Sequence, residues 1–436
     1  MTETPQTNNS QAVISSEFIQ KACTWAQQFD TVCILDNNRI SNALGLQEIE
    51  FALAVGCIDS FKGTGDGDWD EFKFFIDKHS GQTPVFGYLS YDLKNQLEDL
   101  NSNNKDEIGF DPLFFFAPLH IILIDQHGQL MVMSENGNEI MKQIEATEVI
   151  LSNAPALTMR AKVSKEKYIE TVNKIKDQIV EGNVYELNYC VEFYAEQSSI
   201  DPLQTYFALQ QISPTPFACF FKHENKFLIS ASPERFMRKS LNKLYSQPIK
   251  GTVRRSTDAA EDQAHIEELR NSEKEKAENL MIVDLVRNDM AKSSEVGSVA
   301  VDELYGIYSF KQVHQMISTV SSTIIDGIHP ADALENAFPM GSMTGAPKVM
   351  AMKLIEEYED TKRGLYSGSV GYFAPNEDFD FNVVIRSIQY NQEKKYVNFE
   401  VGSAITHDSK PEQEYEECLL KAQAMLKALN ASIASE

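Results

Sequence analysis

Several ionisable side chains of this 436-residue chain stand where the surrounding pattern should bury them. Lys250 lies in the short apolar segment Pro248, Ile249, Lys250, Gly251, Thr252, which reads as a strand ending in a turn. After Asn271 the pattern becomes helical: Ser272 suits an N-cap, Glu275 follows three residues later as in a capping box, and an apolar run comes next. At about 100° per residue Glu278, Met281, Ile282, Leu285 and Asp289 share one stripe. An unpaired carboxylate buried there would cost several kcal/mol, so Glu278 should meet a cation, a metal or a donor network. Glu275 can equally do no more than cap a backbone N–H, and Lys250 can snorkel as a surface strand lysine.

The last helix, read from Pro411 to Leu429, places Glu414 on a stripe with Cys418, Ala422, Met425 and Leu429, with Glu417 at its edge. The pairs Glu275/Glu278 and Glu414/Glu417 on separate helices could bracket a hard cation such as Mg²⁺, or simply be solvated. Arg386 falls in a strand read from Asp380 to Tyr390. Beside Tyr372 its guanidinium would clamp a carboxylate bidentately, the plainer reading being a salt bridge to a structural acid. His314 falls in a helix read from Ser309 to Val320, where a packed core histidine is the ordinary outcome. Gly341 to Lys348 (GSMTGAPK) leads into a helix but lacks the glycine-lysine-Ser/Thr order of a P-loop. Pro347 suits a first helical turn, whose free N–H groups could take a carboxylate or only cap the helix.

The elements that must position these residues are long strands mixed with helices, without regular βαβ alternation, which favours an α+β fold. A polar tail (1 to about 12) precedes a helix at 16–28 and a strand at 31–35. The spacing in Gly63 to Glu71 does not meet the requirements of a calcium loop and reads as a solvated turn. Strands are read at 85–91, 113–124 and 130–133, then a helix near 139–146 and a loop near 152–155. A second texture begins at Ser164 with a helix over 165–181 ending at Gly182, a plausible C′ glycine. Strands follow at 184–196, 217–221, 226–231 and 244–248, then the central helices, a helix at 330–337, and strands at 365–374, 380–390 and 396–404.

Composition narrows the class. A 42% hydrophobic and 24% charged chain is that of a globular protein with a sizeable core. A net charge of −25 without any Lys/Arg-rich block argues against nucleic acid, while leaving room for a small anion held by local arginines. Six scattered cysteines without CxxC spacing fit reduced thiols, and the polar, acidic start carries no secretory signal. With no apolar run long enough to span a bilayer, a cytosolic protein is expected.

Seven ordered motifs carry a resemblance: SPERF (232–236), PIKGT (248–252), AENLMIVDLVRND (277–289), GSMTGAPK (341–348), GYF (371–373), VVIRS (383–387) and the terminal EYEE (414–417). Together they resemble the chorismate-utilising enzymes, the family that includes the anthranilate, isochorismate, salicylate and aminodeoxychorismate synthases. The likeness covers about 165–429, and FGYLSYDL (86–93) extends it weakly toward the start. Anthranilate, isochorismate and salicylate synthases carry alanine in the PIKGT position that here is Lys250, whereas the enzymes that aminate chorismate at C4 carry lysine.

The resemblance implies two packed, mainly antiparallel sheets with helices outside and the active site in a cleft between them. It implies an N-terminal region (1–155) built into the same sandwich and a catalytic region over 160–430. It further implies that chorismate binds through Mg²⁺, that the Lys250 amine attacks C2 as the C4 hydroxyl leaves, and that ammonia then adds at C4 and expels the lysine. For that attack Lys250 must be neutral, so its pKa should be depressed. Glu234 would protonate the leaving hydroxyl, helped by a raised pKa. Glu278 and Glu417 would ligate Mg²⁺, with Glu275 and Glu414 reaching it through water. Tyr372 and Arg386 would hold the enolpyruvyl carboxylate, and His314, Ser342, Thr252, Gly402 and Ser403 would complete the substrate contacts. Where relatives have a glycine-rich turn this chain has Gly402-Ser403-Ala404, and Ala404 adds a Cβ there. No cysteine sits in a glycine-rich elbow, which implies that a separate glutaminase subunit supplies ammonia and that a lyase acts on the product. Part of the N-terminal region can hold tryptophan in this family, the local candidate being Ile34 to Asn38. Other family reactions and a non-catalytic tryptophan-binding subunit are the alternatives.

Overall fold

The computed structural model describes residues 14–40, 48–64, 68–150 and 155–434. The expected tail, residues 65–67 of the acidic turn and most of the loop near 152–155 lie outside the described residues. The longest apolar runs mark strands buried on both faces. In Leu113–Ala117 (LFFFA), Leu113, Phe115 and Ala117 join a core under one layer of helices, while Phe114 and Phe116 join a core on the opposite face. The same alternation recurs in Thr31–Asp36, where Val32 and Ile34 face helices and Cys33 faces the inner core. The result is a helix–sheet–sheet–helix sandwich, as the α+β reading anticipates.

Both sheets are largely antiparallel. The first contains, side by side, Glu186–Ala195, Tyr396–Ile405, Ser387–Asn391, Lys226–Ser232, Phe217–His223, Thr31–Asp36 and Ile49–Val55. The second contains Ile249–Arg254, Val313–Thr323, Lys243–Gln247, Arg235–Ser240, Phe379–Asn382, Ser369–Phe373, Val85–Leu89 and Leu113–Ala117. Strands from before and after residue 155 pair directly in each sheet: Thr31–Asp36 with Phe217–His223, and Val85–Leu89 with Ser369–Phe373.

The chain passes from one sheet to the other at three breaks, two of them within runs read as single strands. The 113–124 run splits at Pro118 into Leu113–Ala117 and His120–Asp125. Pro233 separates Lys226–Ser232 from Arg235–Ser240, and the expected 380–390 strand is Phe379–Asn382 followed by Ser387–Asn391. Proline has no N–H to offer a ladder, so it marks two of these crossings. At the third, Arg386 is not a strand residue: it adopts φ 50°, a left-handed conformation uncommon outside glycine.

His314 requires the largest correction. The expected helix over 309–320 is the strand Val313–Thr323, paired with Ala300–Ser309 and with Ile249–Arg254. Its sequence, VHQMISTVSST, is rich in β-branched residues, whose stiff χ1 favours the pleated backbone. The end of the segment read as a solvated turn is also corrected, since Asp68–His79 is a helix whose first turn carries Asp68, Asp70 and Glu71, acids that suit a helix N-terminus; the other helices read from the sequence follow their patterns. Ser272 caps Glu273–Ala291 by accepting the Glu275 N–H, and Pro411–Ala428 starts at its proline. The GSMTGAPK helix begins at Lys348, with Pro347 one residue outside it.

Candidate active site

Two of the sheet crossings lie against each other. The Val383 N–H donates to the Glu234 carbonyl at 3.0 Å and the Ala231 N–H to the Arg386 carbonyl at 3.1 Å. Glu234 and Arg386 are therefore fixed by backbone where the sheets meet. Lys250 comes from the second sheet, Glu186 from the first, and the Lys250 Nζ stands 2.9 Å from the Glu186 Oε1. This ion pair spans the two sheets at the end where the inner aromatic core gives way to polar groups.

The Glu234 carboxyl is pushed from its ordinary 4.5 up to about 7, chiefly by burial, although the Ser342 hydroxyl, Lys250, the Ile249 N–H and Arg386 all favour its charged form. That meets the requirement for a proton donor working near neutrality. Arg386 makes no salt bridge or hydrogen bond through its guanidinium among the described residues. Burial pushes it below the ordinary arginine value and Glu234 partly restores it. A structural salt bridge is thus not its role, and a half-buried guanidinium left without an acid suits a carboxylate ligand.

Lys250 departs from expectation. Burial pushes its ammonium down, but Glu186, Glu278 and Glu417 outweigh that, and its pKa lies above that of an ordinary lysine. The chain by itself keeps Lys250 charged because acids, not bases, surround it.

The four glutamates of the EXXE pairs act on one cation, Lys274. Burial pushes Lys274 down, and Glu278, Glu275, Glu414 and Glu417 together hold it above the ordinary range. Glu278 reaches the Lys274 Nζ at 3.7 Å, and Glu417 pairs with Lys421 at 2.8 Å. Among the described residues no three His, Cys, Asp or Glu side chains form a group that could hold a metal. The all-oxygen, anionic donor set fits a hard divalent cation in charge and donor type. It is not drawn together as a coordination shell.

The remaining positions divide. Ser342, on a 3-10 turn (Gly341–Met343), reaches Glu234. Gly402 is required by close packing: a Cβ there would lie 2.4 Å from Cys190 Sγ and 2.6 Å from the Tyr189 carbonyl. Its carbonyl accepts from Lys421 at 2.8 Å, which ties to Glu417 a segment that is not the expected turn but part of the strand Tyr396–Ile405, paired along Glu186–Ala195. The Ser403 hydroxyl is buried against the Tyr168 hydroxyl at 3.1 Å. Thr252 is exposed and accepts from Gln315 at 3.4 Å. His314 is wholly buried, with one ring nitrogen on Ser309 at 2.8 Å and the other on Asp262 at 2.9 Å, so both are engaged away from Glu234.

Tyr372 lines a cavity of about 60 Å³ with Leu35, Asp36, Asn37, Phe217 and Asp380, whose walls do not include Arg386. Its ring packs on Phe86 at 5.8 Å, and burial and Asp380 push its hydroxyl well above the usual tyrosine range. Tyr372 lies within the strand Ser369–Phe373 and Arg386 on a sheet crossing, and no hydrogen bond joins them among the described residues. The cavity wall includes part of the segment Ile34 to Asn38.

Three residues that the sequence reading passed over shape the site. Asn188 donates through Nδ2 to the Ser342 carbonyl. Arg363, fully buried, donates to the carbonyls of Met343 at 2.7 Å and Asn188 at 2.9 Å and pairs with Glu359 at 2.6 Å, clamping the turn that carries Ser342. Glu186 opens a buried strand (ELNYCVEFYA) that also carries Asn188 and Glu192, and carboxylates inside a run otherwise rich in apolar residues were the available signal. Arg363→Met should cost about 3–5 kcal/mol, because Glu359 would be left as an unpaired buried charge. Urea unfolding measures this, and adding Glu359→Gln should return much of the loss.

A buried inter-sheet lysine, a glutamate that burial pushes toward neutrality and an arginine without an acid partner among the described residues stand at the junction of the sheets, with the two acidic helices acting on the same lysine. Residues 25–427 match the model of the chorismate binding enzymes, and the chain belongs to that family. It is 33% identical over 368 residues to aminodeoxychorismate synthase component 1 of Bacillus subtilis, covering 80% of this chain and 78% of that protein. It is 35% identical over 396 residues to the probable chloroplastic aminodeoxychorismate synthase of rice, covering 81% of this chain but only 44% of that longer protein. The crystal structure of anthranilate synthase component I from Streptococcus pneumoniae superposes with a TM-score of 0.77 at 25% identity, covering 86% of this chain and 91% of that one. No helix among the described residues is long and apolar enough to cross a membrane.

Proposed function

We propose that this chain is the component I type of aminodeoxychorismate synthase, converting chorismate and ammonia to 4-amino-4-deoxychorismate in the route to 4-aminobenzoate and folate. The observation that carries the reading is Lys250, anchored at the junction of the sheets beside a protonatable Glu234. The lysine amine attacks C2 and the C4–O bond breaks as the oxygen takes the Glu234 proton. Ammonia then forms the C4–N bond while the C2–N bond to Lys250 breaks. Splitting one displacement into two steps fixes the new nitrogen at C4. Arg386, without an acid partner among the described residues, holds one substrate carboxylate. Ser342 orients Glu234, and Gly402 and Ser403 form the wall nearest Glu417.

Glu278 and Glu417 would hold Mg²⁺, with Glu275 and Glu414 behind them. The ion would supply charge for the ring carboxylate and offset the carboxylates that now keep Lys250 protonated. Glu278→Gln should weaken Mg²⁺ binding in the presence of chorismate by roughly 10–100-fold. Isothermal titration with Mg²⁺ reads this directly, and an unchanged titration removes Glu278 from the ligand set. All six cysteines are free and five of them are buried, consistent with reduced thiols; a glutaminase partner would supply the ammonia.

The deciding experiment mixes the chain with chorismate, Mg²⁺ and ammonium at alkaline pH and identifies the product by mass and NMR. Amination at C4 supports the reading. Anthranilate or a hydroxylated isomer would assign another reaction of the family, and no turnover would favour a non-catalytic subunit.

A further inference from the structure

One buried charge at the site has no part in that scheme. Glu186 has 0% of its surface exposed, and its strand begins in register with Ala346 of the loop beyond Ser342. One carboxylate oxygen meets the Lys250 Nζ at 2.9 Å, and the other is buried without a hydrogen-bond partner. A carboxylate kept only for structure is expected to have both oxygens satisfied, since an orphaned charged oxygen is among the costliest groups to bury.

We infer that Glu186 is the proton acceptor that converts the Lys250 ammonium into the attacking amine. The inference rests on the proposed C4 amination. Lys250 retains only 13% side-chain exposure, and a substrate over it would remove that remaining water. Excluding water penalises two charges more than a neutral acid–amine pair, so the proton can move along the existing hydrogen bond. The orphaned oxygen is consistent with this, because on a neutral acid it is a carbonyl oxygen and costs far less than on a carboxylate.

The proton and electron count closes. Glu186 takes one proton from Lys250. The freed lone pair forms the C2–N bond, the ring double bonds shift, and the C4–O pair leaves with the Glu234 proton as water. Ammonia then forms the C4–N bond, the C2–N pair returns to Lys250 as a neutral amine, and the amine recovers its proton from Glu186. Ammonium in solution supplies both the ammonia and the proton that recharges Glu234. The charged groups acting on Lys250 besides Glu186 are Glu234, Glu278 and Glu417, with Lys274 facing Glu278.

Glu186→Gln keeps the volume and a hydrogen bond to Lys250 but cannot take a proton. With chorismate, Mg²⁺ and ammonium, its kcat should fall roughly 100-fold or more near pH 7, with KM for chorismate changed less than about threefold. The deficit should shrink as pH rises toward about 10, because the lysine then loses its proton to solvent. Glu186→Asp should recover part of the loss. If the glutamine variant does not fold, the aspartate variant must itself show a deficit that is largest at low pH. A glutamine variant equal to the parent at every pH, or a deficit independent of pH in either variant, would overturn the role. A parent chain that does not aminate C4 would instead overturn the proposed function, and this inference with it.

Discussion

Lys250→Ala should lower C4 amination by roughly 10⁴-fold or more, the scale seen when the nucleophile of a cooperating catalytic unit is removed. Chorismate binding should survive, since Arg386 and the acidic helices are untouched. Calorimetry with chorismate and Mg²⁺ separates the two effects. The substitution also has a structural cost. Glu186 would be left buried and unpaired, which destabilises by about 3–5 kcal/mol. A double variant, Lys250→Met with Glu186→Gln, should regain most of that stability while remaining inactive, because a matched apolar and neutral pair no longer buries a lone charge. Near-normal amination by Lys250→Ala, in a chain confirmed folded, would exclude the covalent route.

Glu234→Gln should move stability and activity in opposite directions. With its carboxyl raised from 4.5 to about 7, Glu234 is more readily protonated in the folded than in the unfolded chain. Its favourable contribution is complete below about pH 4.5 and is lost as pH rises through about 7, where a charge must be buried. The glutamine variant escapes that loss, so its stability relative to the parent should be greater at pH 8 than at pH 4 by about 3 kcal/mol. Thermal or urea unfolding at the two pH values reads the difference. The same variant cannot protonate the leaving hydroxyl, and turnover should fall roughly 10²–10⁴-fold. In the parent, activity compared at a fixed concentration of free ammonia should decline above about pH 7 as Glu234 ionises and also decline at low pH as Lys250 stays charged. A parent rate that, at fixed free ammonia, keeps rising through pH 9 would count against Glu234 as the acid.

How much was legible in the sequence varies with the distance over which each residue's surroundings are set. Ser272, Glu275 and Pro411 could be placed because capping and helix starts depend on a few neighbouring residues. The two sheets and their helical covers were legible through motif resemblance and long apolar runs. His314 was misplaced because an amphipathic pattern was weighed above the β-branched content of VHQMISTVSST. The strand breaks at 117–120 and 232–235 carried a signal in Pro118 and Pro233. The break at 383–386 carried none, because Arg386 takes a left-handed backbone without glycine or proline.

The sequence by itself determined the family, the lysine at position 250 within PIKGT, and the two acidic pairs on separate helices. Those follow from residue identity and short spacing. Only the tertiary structure decided that Glu186 meets Lys250, that Tyr372 lines a cavity with Asp36 and Asp380, and that Arg363 clamps the Ser342 turn. Glu186 and Lys250 are 64 residues apart and Arg363 lies 175 residues from Asn188. Such pairings arise from which strands cross between two sheets, and desolvation acts on whatever groups that crossing brings together. The charge of Lys250 and the proton on Glu234 are therefore properties of the assembled interior, not of the segments that carry them.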